Sequence, residues 1–420
     1  MKRPNKVLVV DDSRVINSIL TENISSQLHL DVVSAFSMEE AMNAIIGHRK
    51  DFFVAILDLN LPDAPHGEIV QAMLTLGIRP IILTGNTSDD LHDEMMELPI
   101  VDYVVKRNLN EMQYVIDLVQ RLYDNFDRHV LVVDDSKSSR KLIRTLLERH
   151  NFNVEEAVDG LEGLDKLNSH QGYSLIITDY NMPNLNGVGF IGKAREKYSR
   201  NDVAIIGISG VGTGSVSVRM LKAGANDFIN RPFLHEEFYC RVNQNIDFIY
   251  SYKKLREQAF RDFLTNLYNR RFLFETGAGL FENARRQNIS LAVAMIDIDN
   301  FKKVNDVHGH KVGDMMLQHV AVVINRLFRD ADIVARVGGE EFCALCVNIS
   351  EEDATNLFER LRKTVMGSPL KVGELTIEVT ISVGFTVELT ESFNTMMAIA
   401  DGLLYQAKRQ GRNQVAFQPL

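Results

Sequence analysis

Three things are scarce in this chain of 420 residues. The first is any long apolar run. None approaches the ~20 residues that a bilayer-spanning helix needs. The basic start (Lys2, Arg3, Lys6) leads only into Val7–Val10 before Asp11 and Asp12, short of the ~7–15-residue apolar core of a signal peptide. Neither membrane insertion nor a leader is expected. The second scarcity is cysteine: only Cys240, Cys343 and Cys346 occur. Such sparse use suits a reducing compartment, so a cytoplasmic location is expected. The third is positive charge. Lys and Arg number 46 against 56 Asp and Glu, a net charge of −10. Binding to nucleic acid regardless of sequence needs a cationic surface, so no nucleic-acid partner is expected.

What is present is ordinary globular material, 45% apolar and 24% charged. The length suits about three domains of ~100–200 residues. Over residues 1–124, buried-strand runs end in polar residues: Val7–Val10 in Asp11 and Asp12, Phe53–Leu57 in Asp58, Pro80–Leu83 in Thr84, and Tyr103–Val105 in Lys106. Helical patterns such as 14–24 and 37–46 lie between them. Strands alternating with helices imply a doubly wound parallel sheet, whose ligands bind at the carboxyl ends of the strands. Three carboxylates and one lysine should therefore converge there, as a magnesium site beside a nucleophilic carboxylate.

The pattern then repeats over 129–246. Val130–Val133 runs into Asp134, Asp135 and Ser136, and Asp179, Ser209 and Arg231 stand where Asp58, Thr84 and Lys106 stood, at offsets of 121 to 125 residues. This internal duplication resembles two receiver domains of two-component response regulators. The resemblance implies Asp58 as phosphoacceptor, with Asp11, Asp12, Asp58 and the Asn60 carbonyl on magnesium, and Lys106, Thr84 and Tyr103 as switch residues. In the second copy Asp134, Asp135, Asp179 and Asn181 would hold the metal, Asp179 would accept the phosphoryl group and Ser209 would replace Thr84. Arg231 departs from the family's lysine. A planar fork is a poor substitute for a compact ammonium. Weak or absent phosphorylation at Asp179 is expected, leaving the second copy as an adaptor surface.

Residues 247–262 carry Phe248, Tyr252, Leu255 and Ala259 at 4-3-4 spacing among Lys253, Lys254, Arg256 and Glu257. A short linker helix is expected, packing on a copy of itself or on its own receiver.

In the remaining stretch, 255–420, Ile333–Ala335 and Phe342–Val347 flank Gly338 and Gly339. Two adjacent glycines supply the positive φ angles of a tight primed hairpin turn, with Glu340 and Glu341 at its tip. Upstream, a strand from Ser290 to Ile298 ends in Asp297-Ile298-Asp299, the two aspartates on one face. Asp297 and Glu340 could chelate one hard cation carrying phosphates.

These residues, with Asn300–Lys302, Asn305-Asp306, Gly309-His310, Gly313-Asp314 and Phe342, resemble the GGDEF domain of diguanylate cyclases. Asp262–Phe272, Ile381–Gly384 and Tyr405–Asn413 resemble its opening and closing motifs. Asn266 stands where the family usually has Gly, and Asn tolerates the left-handed region. The resemblance implies an α+β, nucleotidyl-cyclase-like domain that joins two GTP into cyclic di-GMP. It implies two magnesium ions at the GTP site, one per competent receiver, and metal ligands Asp297, the Ile298 carbonyl and Glu340. Glu341 would be a further ligand or deprotonate the attacking hydroxyl. Gly338 and Gly339 would let the phosphates approach, and Lys302, Lys408 and Arg412 would neutralise them. Asn305 and Asp314 would read guanine, an acceptor-only Asp favouring its N–H edge over adenine. Arg329 and Asp332, with five residues between them and Gly338, match the family's RxxD inhibitory site for product, with Arg360 assisting.

The whole resembles a tandem-receiver response-regulator diguanylate cyclase, acting as a homodimer and served by a sensor histidine kinase or phosphotransfer protein. The alternatives are a silent cyclic di-GMP receptor or a phosphorelay scaffold. Cys343 and Cys346 are expected on opposite faces of one strand and so cannot form a metal clip. His308-Gly309-His310 could suggest zinc, but the resemblance has Gly-His at this place, so a structural role is expected.

Overall fold

The computed structural model describes residues 3–85, 94–95, 97–107, 109–170, 172–210 and 214–417. The chain divides into two units, Met1–Lys253 and Lys254–Leu420.

The first unit holds two copies of one α/β pattern. In the first copy the strands are β1 (Lys6–Val10), β2 (Asp31–Ala35), β3 (Phe52–Leu57), β4 (Arg79–Thr84) and β5 (Asp102–Val105). They lie in the order β2-β1-β3-β4-β5, all parallel. The second copy repeats this with β6 (His129–Val133), β7 (Asn153–Ala157), β8 (Tyr173–Asp179), β9 (Ala204–Ser209) and β10 (Asp227–Asn230), in the order β7-β6-β8-β9-β10. Central strands such as β3 and β9 are buried along their whole length. Helices cover both faces of each sheet, which is why these strands read as continuous apolar runs. In both copies the order in which strands are added to the sheet reverses between the first and third strands, and the crevice at that switch point is where such sheets place ligands. A buried polar seam joins the copies. Asn125 Nδ2 donates to the His150 carbonyl at 2.9 Å, Asn151 Nδ2 to the Leu122 carbonyl at 3.0 Å, and an Arg79 guanidinium N–H to the Glu148 carbonyl at 2.8 Å.

The joint differs from expectation. It is not a separate short helix but the end of one 26-residue helix, His235–Phe260. Phe238, Val242, Ile246 and Ile249 lie in the core of the second copy, and no Gly or Pro interrupts the chain between them and Phe260. Residues 251–259 are exposed, so the Phe248-Tyr252-Leu255-Ala259 row is left uncovered in the single chain.

The second unit is built on a mixed six-stranded sheet. Its strands are β11 (Tyr268–Asn269), β12 (Leu291–Ile298), β13 (Ile333–Gly338), β14 (Glu341–Val347), β17 (Ile381–Thr386) and β18 (Val415–Phe417), in the order β11-β13-β14-β12-β17-β18. A small hairpin, β15 (Leu370–Val372) with β16 (Leu375–Ile377), stands apart. The helices His310–Leu327 and Glu351–Met366 pack on one face. Arg270–Gln287 and Phe393–Arg409 pack on the other. Cys343 lies in one core and Cys346 in the other, as strand alternation requires.

Gly309 separates two helices with φ at 82°. Gly384 has a different reason. A Cβ there would come within 2.0 Å of the Leu404 nitrogen and 2.4 Å of the Ala400 carbonyl oxygen. The motif glycine thus lets β17 touch the backbone of the last long helix. Backbone cannot rotate aside as a side chain can, so Gly384→Ala is expected to destabilise this unit by ~3 kcal/mol or more. Differential scanning calorimetry would detect the lost or down-shifted transition. An unchanged transition would mean that the helix can lift from the strand at little cost.

Candidate functional site

The acidic groups of the second unit meet where β12 ends. Asp297 is 4% exposed and stands opposite Glu341 on β14 and Ser382 on β17. Burial pushes its carboxyl up to about 6. The charges of Glu340 and Glu341 act in the same direction, and Lys408 opposes them. Lys408 Nζ lies 2.7 Å from Asp297 Oδ2, so the lysine expected on phosphate here balances the buried carboxylate.

The hairpin departs from its expected form. Gly338 is the last residue of β13 and pairs with Glu341, and of the two glycines only Gly339 has a positive φ, 51°. The turn is therefore Gly339-Glu340. Glu340 alone sits at the tip and Glu341 opens β14. A Cβ at either glycine would meet nothing within 4 Å, so the tip is open to a bulky ligand. Arg336, which the sequence did not single out, shapes the turn. Its Nε and Nη2 donate to the Gly339 carbonyl at 3.0 and 2.7 Å, and its Nη1 lies 3.1 Å from Asp262 Oδ1. Asp262 also accepts from Thr265 N and Oγ1, and Asn266 adopts φ 59° as expected. The opening motif is in this way tied to the hairpin.

Asp299 has a role other than that of a second acid beside Asp297. Its carboxylate accepts from Thr380 Oγ1 at 2.7 Å, Ser382 Oγ at 2.7 Å and Asn413 N at 2.9 Å. It fastens both closing motifs to the end of β12. Of the expected nucleotide contacts, the Asn305 carboxamide rests against Gly313, where a Cβ would lie 1.9 Å from Oδ1. Asp314 follows on the same helix and is exposed, as are Lys302 and Arg412. Ile298 N donates to the Glu340 carbonyl at 3.3 Å, which keeps the strand end against the tip.

A hard cation fits this donor set. A buried carboxylate pushed toward protonation has two further carboxylates and a backbone carbonyl nearby, with open space above. Among the described residues, however, Asp297, Glu340 and Glu341 do not form a triad with donor atoms within 4.8 Å of one another. Arg329, Asp332 and Arg360 do come together, lining one cavity of about 350 Å³. Arg329 N donates to Asp332 Oδ2 at 3.0 Å, which fixes their turn.

In the first unit, Lys106 Nζ sits 2.7 Å from both Asp11 Oδ2 and Asp58 Oδ2. Carboxylate oxygens of Asp11, Asp12 and Asp58 lie within 4.8 Å of one another. Burial raises the Asp11 carboxyl above its ordinary range, against the hydrogen bond and charge of Lys106. Asn60 N donates to Asp58 Oδ1 at 3.3 Å. Thr84 and Tyr103 are buried on adjacent strands. This donor set suits magnesium.

The second copy is different. Arg231 spreads its fork, Nη2 to Asp134 Oδ2 at 2.5 Å and Nη1 to Asp179 Oδ1 at 3.0 Å. Asp134, Asp135 and Asp179 do not form a close triad among the described residues. A guanidinium needs the room that the ammonium leaves to an ion. Of the expected metal set of this copy, Asp134 and Asp179 are therefore bridged by a side-chain cation. Asn181 contributes its backbone N–H to Asp179 Oδ2 at 2.7 Å, and Ser209 is buried at the end of β9. Burial pushes the Asp179 carboxyl up to about 6, with Asp134 adding to it and Arg231 opposing.

The comparisons with known proteins agree with this architecture. The family profile "Diguanylate cyclase, GGDEF domain" matches residues 259–414, and "Response regulator receiver domain" matches 7–117 and 130–243. The chain is similar to the response regulator PleD of Caulobacter vibrioides, with 30% identity over 304 residues, 70% of this chain and 66% of PleD. The match thus spans slightly under two thirds of that relative. It is 41% identical over 161 residues to DgcT of Escherichia coli K12, named a probable diguanylate cyclase, covering 37% of this chain and 35% of DgcT. The crystal structure of a protein described as a "putative two-component system response regulator/ggdef domain protein" is 39% identical with a TM-score of 0.54, covering 58% of this chain and 99% of that one.

The raised carboxyl of Asp297 has a measurable consequence. Its folded-state pKa, about 6, exceeds the ordinary 3.8, so between those values the native chain holds a proton that the unfolded chain has lost. Stability in chelator should therefore fall as pH rises through that window. Thermal midpoints of the second unit between pH 4 and 7 should decline less in Asp297→Asn than in the parent. Equal slopes in the two proteins would contradict the assignment.

Proposed function

The chain belongs to the diguanylate cyclase GGDEF family and to the response-regulator receiver family, and from that premise we propose that it is a phosphorylation-controlled diguanylate cyclase. It converts two GTP into cyclic di-GMP and two diphosphates. The observation that carries this reading is the buried Asp297 beside the open Gly339-Glu340 turn, with Glu341 opposite and Lys408 in reach.

In this reading Asp297, the Ile298 carbonyl and Glu340 hold magnesium, which when bound polarises the α-phosphate and steadies the leaving diphosphate. Glu341 accepts the proton of the attacking 3′-hydroxyl. Lys302, Lys408 and Arg412 bear on the triphosphate, Lys408 exchanging its hold on Asp297 for a phosphate oxygen. Asn305 and Asp314 take the guanine edge. One site holds one GTP, so two chains must face each other to close the product ring. Asp58 takes the phosphoryl group from a histidine kinase or phosphotransfer protein, with Lys106 and Thr84 on the new phosphate and Tyr103 following. The second receiver, with Arg231 filling its acidic pocket, serves as adaptor between the first receiver and the exposed Phe248-Tyr252-Leu255-Ala259 row. Product binding at Arg329, Asp332 and Arg360 slows the enzyme. The domain limits that go with this reading are 1–124, 129–246 and 255–420, joined over 247–262, in a cytoplasmic protein.

The test is incubation with GTP and magnesium, with and without beryllofluoride, while cyclic di-GMP is assayed by chromatography and mass by light scattering. Product should rise together with dimer. Glu340→Ala should lose activity by ~100-fold or more, and Asp58→Asn should keep a basal rate but lose the response. Asp58→Asn responding fully would sink the switch. No product under either condition, with cyclic di-GMP still bound through Arg329 and Asp332, would establish the receptor reading instead.

A further inference from the structure

A second group of side chains that could hold a metal ion, His129, Glu155 and His170, lies apart from the acidic strand ends described above. It sits at the amino-terminal edge of the β6–β10 sheet, whose carboxyl edge carries Asp134, Asp179, Ser209 and Arg231. His129 is the first residue of β6. Glu155 lies on β7, opposite Leu131, so it shares a face with His129, two residues along. His170 directly follows the helix Gly160–Ser169, which the fold returns to this same edge. Donor atoms of His129, Glu155 and His170 lie within 4.8 Å of one another, and all three residues are half-buried. The two imidazole rings are 4.8 Å apart, centroid to centroid, and tilted by 50°.

Two details favour a ligand over a chance meeting of polar residues. Among the described residues, His170 Nε2 is buried and has no hydrogen-bond partner. Such an atom calls for an explanation, and an ion or ordered water is the usual one. Tyr173, which pairs with His129 across the sheet, donates its O–H to Glu155 Oε2 at 2.8 Å. An outer hydrogen bond of that kind orients a carboxylate that ligates metal.

We propose that His129, Glu155 and His170 form a binding site for a borderline divalent transition cation of the Zn²⁺ class. Two imidazoles and a carboxylate suit such an ion, whereas magnesium and calcium take oxygen donors throughout. The ion would staple the start of β6 to β7 and to the end of the helix Gly160–Ser169. Its place is structural: it tightens the second receiver, whose own acidic pocket Arg231 closes.

The experiment uses the full chain, stripped of metal and held in excess Mg²⁺ so that the all-oxygen sites are filled. Zn²⁺ is titrated by calorimetry, and Co²⁺ by its visible absorption as a report on coordination. One equivalent of Zn²⁺ should bind and raise the thermal midpoint of the first unit. The double variant His129→Gln/His170→Gln should weaken that binding by ~100-fold or more, and Tyr173→Phe by about tenfold while keeping its stoichiometry. Asp58→Asn should bind Zn²⁺ as the parent does. Circular dichroism checks that the double variant is folded; if it is not, Glu155→Gln and Tyr173→Phe carry the same comparison. Undiminished Zn²⁺ binding in these variants would overturn the proposal, as would a parent that binds no Zn²⁺ at micromolar concentration.

Discussion

A carboxylate withdrawn from water must be protonated, bound to a cation, or given hydrogen bonds, because an isolated buried charge is prohibitively unfavourable. Much of this molecule follows from how that constraint is met at three strand ends. Asp11 and Asp58 share Lys106, Asp134 and Asp179 share Arg231, and Asp297 has Lys408. In each case the cation comes from a late element of its domain. Asp299 takes the third route, saturated by Thr380, Ser382 and Asn413, and so has a structural role while Asp297 two residues earlier stays available to a ligand.

The identity of the cation decides what each site can still do. A lysine presents a single charged point, and Asp12 remains close enough to Asp11 and Asp58 for a further ion to be shared. An arginine presents a plane with two donor edges. It bridges Asp134 and Asp179, and no close carboxylate triad forms there among the described residues. Two copies of one fold, with the same strand order and the same acids, therefore diverge through one basic residue. The divergence also fits their places in the chain: the copy with the filled pocket continues into the long helix His235–Phe260.

The sequence announced these strand ends because chemistry at such ends is dense and local. A run of apolar residues stopping at Asp-Asp, or at Asp-Ile-Asp, is visible without any partner, and a duplication at near-constant offset is visible as itself. The doubly wound sheets and the acidic strand ends followed from that kind of signal, whereas the grouping of Arg329, Asp332 and Arg360, which line one cavity, was implied by the resemblance to the GGDEF family. What stayed hidden depends on contacts between distant residues. Arg336 joining Asp262 to the hairpin leaves no periodic trace, nor does His129 meeting His170 across a strand, a helix and a turn. The joint was misread for another reason. Phe248, Tyr252 and Leu255 form a helical row, but a second row, Phe238-Val242-Ile246-Ile249, runs into it without a break, and one continuous helix satisfies both.

The hairpin shows how far a motif can be right in composition and still carry its roles differently along the chain. Both glycines were read as turn residues, yet only Gly339 uses a positive φ, while Gly338 closes β13. One glycine turns the chain and the other keeps its surroundings clear. The two glutamates separate for the same reason. A residue in the turn is free of strand register, whereas the first residue of β14 must stand opposite Asp297. Register therefore places Glu341 opposite Asp297, while Glu340 stands in the turn, its carbonyl accepting from Ile298 N. Two adjacent residues, one in the turn and one at the first position of β14, thus stand in different structural settings beside Asp297.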